Sequence, residues 1–260
     1  LGYTLEWRVI NAADYGFPQK RRRIFIFGYK KNSEIYKKLF RTSELYNWID
    51  ESGFFAQAFP VKKYQDKNHI NLEGEIEYIS KNFSLNNPKI SPFKNSGVLL
   101  DKKIFTANLI PLHKNKKMTL HDIIQNDSEV SKEFDIDKNK LDLWTYAKGS
   151  KKIEKISSSG HKYLYSEGNM KFPDSLDSPS RTIITSEGGS GASRFKHVIQ
   201  TGNNRYRRLT PIELERLNMF PDNHTKIHDI SDSRRAYLMG NALVTGVVKK
   251  IGDTMSKLLT

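Results

Sequence analysis

The sequence predicts an α/β protein in which both ends belong to one sheet-containing domain and the middle forms a separate small mixed α/β domain. Three observations support this. Strand-like apolar runs occupy residues 4–12 and 23–29, and the last fifty residues are helical in pattern. The stretch between them is polar, with only short strand-like pieces.

The 260 residues suffice for one large domain or two small ones with real cores, and the apolar fraction of 37% suits a folded protein. No run approaches the ~18 apolar residues of a membrane span, and no basic-then-apolar leader is visible. The expected location is therefore the cytoplasm, with no membrane partner. Leu1 stands where Met is usual, which reads as a start inside a longer reading frame or after processing. Lys and Arg number 43 against 29 Asp and Glu, a net charge of +14. Such a surface favours nucleic acid, because neutralising phosphates releases counterions; it also serves plain solubility. The chain has no cysteine, which excludes disulfides, thiolate metal sites and a thiol nucleophile.

In order along the chain, 4–12 and 23–29 read as strands, with Gly16 and Pro18 punctuating the turn between them. The unbroken apolar run of the second predicts a strand covered on both faces. Two strands make no stable sheet, so they are expected to join a larger one lying outside this sequence. Residues 30–118 are rich in Lys and Asn and predict mixed strands and loops. Thr119 and Asp122 have capping-box spacing, predicting a short helix through Ile124. Residues 140–207 predict short strands such as 181–185. Thr210, Pro211 and Glu213 form a second capping box, with proline at the first helical position. Its helix should run through Leu217 and Phe220 to Pro221. Another should run from Ser233 to Met239 and break at Gly240-Asn241. The last helix carries Val244, Val247, Val248, Ile251, Met255 and Leu258 at helical spacing, one face to be buried.

Candidate functional residues fall in four places. Strand alternation would put Gln19, Arg21 and Arg23 on one face, a fork of donors suited to a base or phosphate; a solvated basic patch is the bland alternative. The glycine-rich stretch 180–191 lets backbone approach a ligand closely. Around it, Arg181, Arg194 and Lys196 could take phosphates and Ser186 and Glu187 could read base edges, while Gly188 and Gly189 permit the close backbone approach. It lacks the residue order of a nucleotide phosphate loop. Residues 157–163 offer a second recognition segment of small polar residues. His224 and His228 have helical spacing but no third ligand, so no metal is expected.

Three of these segments, in this order, resemble the last three motifs of the DNA (cytosine-5) methyltransferases. The run Asn11-Ala-Ala-Asp-Tyr-Gly-Phe-Pro-Gln-Lys-Arg-Arg-Arg23 resembles the eighth motif. By that resemblance, Gln19, Arg21 and Arg23 belong to the cytosine pocket, Arg23 holding the flipped base and Arg21 supporting it. The stretch Arg207-Arg-Leu-Thr-Pro-Ile-Glu213 resembles the ninth, implying that Arg208, Thr210, Pro211 and Glu213 brace the recognition domain. Gly240-Asn-Ala-Leu243 resembles the tenth, implying that Asn241 and Ala242 lie beside S-adenosylmethionine; a simple helix cap is the alternative. The intervening variable region, with Thr182-Ile183, is similar to the family's target-recognition segment.

The resemblance implies a partial class I S-adenosylmethionine-dependent methyltransferase domain, holding its last strands and C-terminal helix, with a separate small mixed α/β target-recognition domain. The expected divisions are 1–31 (catalytic-domain strands), 32–118 (an insertion or the start of the recognition domain), 119–207 (recognition), 208–232 (bracing) and 233–260 (helices returning to the catalytic domain). In this family a cysteine thiolate adds to carbon 6 of cytosine, and carbon 5 then takes the methyl group. The motifs carrying that cysteine, its glutamate and the cofactor glycines are not found in the sequence. The chain is thus expected to be the C-terminal, DNA-recognition and cytosine-pocket portion of a restriction–modification methyltransferase, inactive alone. Its expected partners are double-stranded DNA and a missing N-terminal catalytic half, in the same chain or as a separate subunit. A bacterial, nucleoid-associated location follows. The alternatives are a non-catalytic sequence-specific DNA-binding subunit and a basic protein adaptor.

Overall fold

Side-chain alternation along Tyr3–Asn11 decides how the first part of the chain folds: Thr4, Glu6, Arg8 and Ile10 are buried, and the residues between them are half-buried. The computed structural model describes residues 2–42, 44–86 and 91–259. Its principal elements are β1 (Tyr3–Asn11), β2 (Arg22–Lys30), α1 (Glu34–Arg41), β3 (Val61–Asn71), α2 (Ile76–Asn86), β4 (Ser96–Leu100), β5 (Lys103–Pro111), α3 (Leu141–Lys148), β6 (Lys151–Ile156), β7 (Lys162–Glu167), β8 (Val198–Thr201), β9 (Arg205–Arg208), α4 (Pro211–Leu217), α5 (Asp232–Asn241) and α6 (Thr245–Leu259). The chain divides into two compact units. One comprises residues 1–16, 21–116 and 246–260, the other 17–20 and 117–245.

The first unit is built on an antiparallel five-stranded sheet in the order β2-β1-β4-β5-β3. The larger sheet expected to lie outside the sequence is therefore supplied by residues 61–111. Asp101 and Lys102 link β4 to β5 with φ of 46° and 62°, the left-handed pair that a two-residue hairpin loop requires. Short helical turns over 45–58 pack on the buried face, pinned by two charged residues. Glu6 accepts from Trp48 Nε1 (3.0 Å), Phe54 N (3.2 Å), Phe55 N (3.0 Å) and the Tyr29 hydroxyl. Burial pushes its carboxyl up from the ordinary value, against the pull of those donors and of Arg8. Arg8 in turn donates to the carbonyls of Phe59 (2.9 Å), Phe55 (3.2 Å) and Ile49.

The expectation that the second strand is covered on both faces is not met. β2 is an edge strand, and Ile24 and Ile26 are 59% and 63% exposed. With Leu5, Trp7, Val9, Leu99 and Ile104 they line an open apolar cavity of about 590 Å³.

The second unit is centred on Leu120, Ile123, Ile183, Ile199, Leu209, Leu214, Leu217, Ala236 and Met239. Two hairpins, β6–β7 and β8–β9, stand in it as separate two-stranded sheets. Thr119 N donates to Asp122 Oδ2 (2.7 Å), one half of a capping box, but Thr119 Oγ1 donates to the same oxygen (2.9 Å) instead of accepting from Asp122 N, and no helix follows. Leu120 N and His121 N are taken by the carbonyls of Ser178 and Leu176, which ends the segment after one turn. Residues 181–185 form no strand, because Ile183 is drawn into the core and its N–H bonds to the Gln19 side chain. The capping box of α4 is complete, with Thr210 Oγ1 accepting from Glu213 N (3.2 Å) and Glu213 Oε2 accepting from Thr210 N (2.9 Å). α4 stops at Leu217, short of Phe220, since Met219 takes a left-handed φ of 62°. α5 runs two residues past Met239, to Asn241.

The same Glu213 is fully buried and receives Arg207 through two bonds, Nη1 to Oε2 (2.9 Å) and Nη2 to Oε1 (2.8 Å). Oε1 also accepts from Gln125 N (2.9 Å). Burial by itself would lower the Arg207 pKa; the bonds to Glu213 and Asp127 more than reverse this and raise it. Removing one partner of a buried ion pair leaves the other uncompensated, at a cost of about 3–5 kcal/mol. Glu213→Ala is expected to lower the unfolding free energy of the second unit by that amount in urea denaturation followed by Trp144 fluorescence. An unchanged midpoint would mean the pair contributes nothing.

Candidate functional site

The predicted run Gln19-Lys-Arg-Arg-Arg23 does not act as one strand face. β2 begins only at Arg22, and the run is divided, Gln19 and Lys20 in the second unit and Arg21 to Arg23 in the first. Gln19 is fully buried, forms an isolated parallel bridge with Ser180, and donates from Nε2 to Asn218 Oδ1 (3.0 Å) and Leu217 O (3.3 Å). Its Oε1 accepts from Ile183 N (3.1 Å). It thus ties α4 to the segment around Ile183. Arg21 is 3% exposed, and burial, helped by the nearby charge of Arg23, lowers its pKa to about 10; it stays cationic at neutral pH. Arg23 is exposed, its Nη1 donating to the carbonyl of Arg22 (2.7 Å).

In the second unit the glycine-rich segment is held by the cations expected to reach phosphates. Arg181 Nε and Nη2 donate to Asp174 Oδ1 (2.7 Å) and Oδ2 (3.2 Å). Lys196, 8% exposed, donates to the carbonyls of Gly189 and Gly191 (3.0 Å each). Burial, then the charge of Arg208, lowers its pKa. Arg194 donates to the carbonyls of Gly149 (3.1 Å) and Gly168 and lies 3.3 Å from Glu167. Glu187 is buried, with one oxygen on His197 Nδ1 (2.8 Å) and the other on His197 N (3.0 Å). Thr182 Oγ1 donates to the carbonyl of Lys20.

What the segment leaves outward is therefore small: Thr185, Ser186, Gly189, Ser190 and Gly191 are exposed. Its backbone is also closely packed from below. A Cβ on Gly188 would meet Ser233 Cα at 2.7 Å, and one on Gly240 would meet Ile184 C and Thr185 N at 2.4 Å. Glycine at these two positions lets α5 sit directly against the loop.

Of the bracing residues, Thr210, Pro211 and Glu213 form the start of α4. Arg208 donates to the carbonyls of Gly189 (3.0 Å) and Glu133 (2.6 Å) and lies over the Phe134 ring. Arg207, Lys148 and Asp174 are functional neighbours that sequence reasoning missed. Alternation along β9 was the available signal, since Arg205 and Arg207 share a face and both meet Asp127. Lys148 is buried and donates to the carbonyls of Lys196 (2.5 Å) and Arg194 (3.4 Å).

Asn241 is exposed, with Nδ2 donating to Tyr237 O (3.3 Å), and Ala242 packs against the core of the second unit. Neither lines any of the five described cavities. Of the histidines at helical spacing, His224 lies tilted against the Phe220 ring and His228 lies beside Asp229 at the surface.

A sequence model of the C-5 cytosine-specific DNA methylases matches residues 1–257. The chain belongs to that family. It is similar to the Type II methyltransferase M.Sau3AI of Staphylococcus aureus, with 43% identity over 99% of this chain and 60% of that protein. It is also similar to the Type II methyltransferase M.NgoBV of Neisseria gonorrhoeae, with 25% identity over 98% of this chain and 64% of that protein. The chain thus spans somewhat under two thirds of the length of these relatives. Among solved structures, an S. pombe Dnmt2 methyltransferase superposes over 100% of this chain and 59% of its own, at 13% identity and a TM-score of 0.47.

The family match corrects several expectations. The likeness is not confined to three motifs but runs through nearly all of the chain, which overturns the reading as a C-terminal portion. The partial-domain fold is overturned on the same ground, and the sheet thought to be missing lies within residues 3–111. The readings as an inactive recognition portion and as a non-catalytic DNA-binding subunit are overturned by whole-chain similarity to methyltransferases. Nothing in the match calls for a catalytic half from a second subunit.

Members of the family use S-adenosylmethionine. Asn241 and Ala242 do not make a cradle for it: one exposed amide bonded to its own helix and one methyl packed on the core supply too few groups.

Two buried carboxyls set the acid limit of the loop scaffold. Burial would raise the Asp174 pKa, but the Arg181 bond and the charges of His197, Arg181 and Lys148 bring it below the ordinary value. Burial likewise opposes, and bonds from Thr225 and Arg235 outweigh, for Glu215. A carboxyl lowered on folding stabilises fully above its unfolded pKa, about 4, and loses that contribution as pH falls through its folded value. Far-UV circular dichroism should therefore show the second unit stable from neutrality to about pH 4 and unfolding below it, with a shallower acid transition in Asp174→Asn. An acid limb unchanged in that variant would remove Asp174 from the account.

Proposed function

We propose that this protein methylates carbon 5 of cytosine in duplex DNA, with S-adenosylmethionine as donor, within a restriction–modification system. The observation that carries the reading is the family match over residues 1–257, supported by whole-chain similarity to Type II methyltransferases. The net charge of +14 suits a polyanionic substrate.

Within this reading Arg23 and Arg21 hold the extruded base. A flipped cytosine presents a carbonyl oxygen and ring nitrogen, acceptors that a guanidinium meets with fixed geometry. The burial of Arg21 supports a supporting role, and the exposure of Arg23 supports direct contact. Duplex DNA lies against the braced loop, where Thr185, Ser186 and Ser190 with the glycine backbone supply hydrogen bonds and close approach. The chemistry at carbon 6 in this family needs a thiolate, and none of these 260 residues is cysteine. Holding the base and the duplex is what the residues named above contribute to that reaction.

The direct test is to express the gene in a host lacking cytosine methylation and sequence its DNA after bisulfite treatment. Protected cytosines in one recurring context are expected; uniform conversion would reject the reading. Arg23→Ala should reduce protection at least 100-fold while leaving stability within about 0.5 kcal/mol, as exposed substitutions do. Binding of the protein to a 30-base-pair duplex should weaken steeply with salt, log affinity falling by about 0.9 per phosphate neutralised for each tenfold rise in salt. A flat salt response would argue against DNA as the substrate.

A further inference from the structure

The sheet of the first unit has a notch at one end. β1 and β5 are nine residues long, whereas β4 between them has five, and its register with β1 ends where Arg8 faces Ser96. Beyond that point β1 runs on to Asn11 and β5 to Pro111, about two strand spacings or roughly 10 Å apart. A cavity of about 400 Å³ lies there. Val9, Leu109, Ile110 and Pro111 give it apolar sides, and Asn11, Asp14 and Arg22 bring polar groups to it. Apolar walls with a few convergent polar groups are the pattern of a small-molecule site.

Several of those polar groups have no protein partner. Arg8, which also lines the cavity, is 3% exposed and commits Nη1 and Nη2 to the carbonyls of Phe55, Phe59 and Ile49. Its Nε is left buried and unpartnered, as is Asn11 Oδ1. Burial without a partner is costly for either atom unless a ligand or water supplies one. Asp14 and Arg22 carry opposite charges, and among the described residues neither side chain has a hydrogen-bond or ion-pair partner. Asn95 differs: its Nδ2 donates to Leu109 O (2.9 Å) and its Oδ1 accepts from Leu109 N (2.8 Å), closing the edge of β5.

The backbone gathers the free groups around Asn11. Arg22 lies directly opposite Asn11 in the β1–β2 register, so their side chains share a face, the one away from Arg23. The single 3-10 turn Ala12–Tyr15 follows, and its three-residue repeat returns Asp14 to the side of Asn11. Val9 N bonds to Asn95 O, so alternation along β1 turns the Asn11 N–H into the notch as well.

We infer that the notch binds a guanine nucleotide, with its base between β1 and β5 and its phosphate on Arg22. Along one edge guanine presents a carbonyl, a ring N–H and an amino group. An asparagine amide meets the first two with its own donor and acceptor, which gives the buried Asn11 Oδ1 its missing partner. The amino group comes next in line, where the Asp14 carboxylate accepts from it. Arg8 Nε and the Asn11 N–H remain as donors for ring nitrogens, and a guanidinium such as Arg22 takes phosphate through two bonds. The set also selects against other bases. The Asn11 amide can turn over to suit adenine, but adenine has no donor for Asp14, and uracil would set a carbonyl against it. The site is independent of the methyl-transfer reading, so its failure leaves that reading untouched.

The test is isothermal titration calorimetry of the intact protein with guanosine, inosine and adenosine monophosphates, beside Asp14→Ala and Arg22→Ala variants that circular dichroism shows to be folded. Guanosine monophosphate is expected to saturate one site. Inosine monophosphate, which lacks only the amino group, should bind roughly 5- to 150-fold more weakly, and adenosine monophosphate at least as weakly. Asp14→Ala should bring guanosine monophosphate down to the affinity of the inosine nucleotide, whose own binding it should not lower. Arg22→Ala should weaken the nucleotide while leaving free guanosine within about twofold of the parent. No heat of binding at millimolar nucleotide overturns the inference, as does equal binding of all three nucleotides. Full affinity in both variants would place the nucleotide elsewhere and overturns it too. Displacement of bound guanosine monophosphate by duplex DNA would give the notch to the nucleic acid instead of a free nucleotide, and is the last result that overturns it.

Discussion

The second unit is organised around the ion pair between Arg207 and Glu213, both without solvent exposure. Two opposite charges inside a protein are tolerated only where geometry and further hydrogen bonds offset their lost hydration. Here every oxygen of Glu213 is used twice, by Arg207 and by the backbone of Thr210 and Gln125. The carboxylate thereby ties three separate parts of the chain together: β9, the first turn of α4 and the segment after Leu120. A capping glutamate is ordinarily a local device worth about 1 kcal/mol. Burying it beneath an arginine makes it a tertiary one. Because Arg207 is locked inward, its neighbour Arg208 must point to the other side of the strand, and there it reaches Gly189 and Glu133. The glycine-rich loop is thus positioned, at one remove, by the buried pair.

The local features of this fold were legible in the sequence and the partnerships were not. β1 and β2 fall within a residue or so of the expected strands, and the capping box of α4 and the helix α6 are where their residue types put them, although in the apolar stripe expected to be buried Val248 and Met255 are exposed. Each depends on neighbours within four residues. The sheet of the first unit depends on pairing β1 with β4, some ninety residues distant, across a polar stretch with weak alternation. Glu6 and Arg8 illustrate the difficulty. In sequence they are two charges in an alternating strand, which suggests a solvent face. In the structure they point inward, because the helical turns at 48–59 present backbone N–H and C=O groups that these two side chains satisfy.

The same limit explains the site. Arg181, Arg194 and Lys196 look like phosphate ligands because they are cations beside glycines. Their actual partners, Asp174, Glu167 and the carbonyls of Gly149, Gly168, Gly189 and Gly191, lie at no fixed spacing from them. A basic residue in a glycine-rich loop has two competing uses, one toward a ligand and one toward the loop's own carbonyls. Glycine lowers the cost of exposing those carbonyls to an internal cation, so the motif that invites a ligand also invites a brace. Gln19 shows the converse. Its place in a familiar motif suggests contact with a base, whereas its amide spans Asn218 and Ile183 and holds the loop to α4.

These facts divide the second unit into a part that tolerates little change and a part that tolerates much. The loop over 180–197 is bounded by two glycines whose replacement would drive a Cβ into backbone, and by buried ions whose loss would leave charges unpaired. Substitution there disturbs the scaffold before it alters any outward contact. The outer face of the β6–β7 hairpin has no such coupling: its side chains are exposed, and its direction is set at the base by Lys151, Glu167 and Arg194. Side chains there can be exchanged at little cost in stability. The loop is held from within, and the ribbon's outward side chains are free to vary without disturbing it.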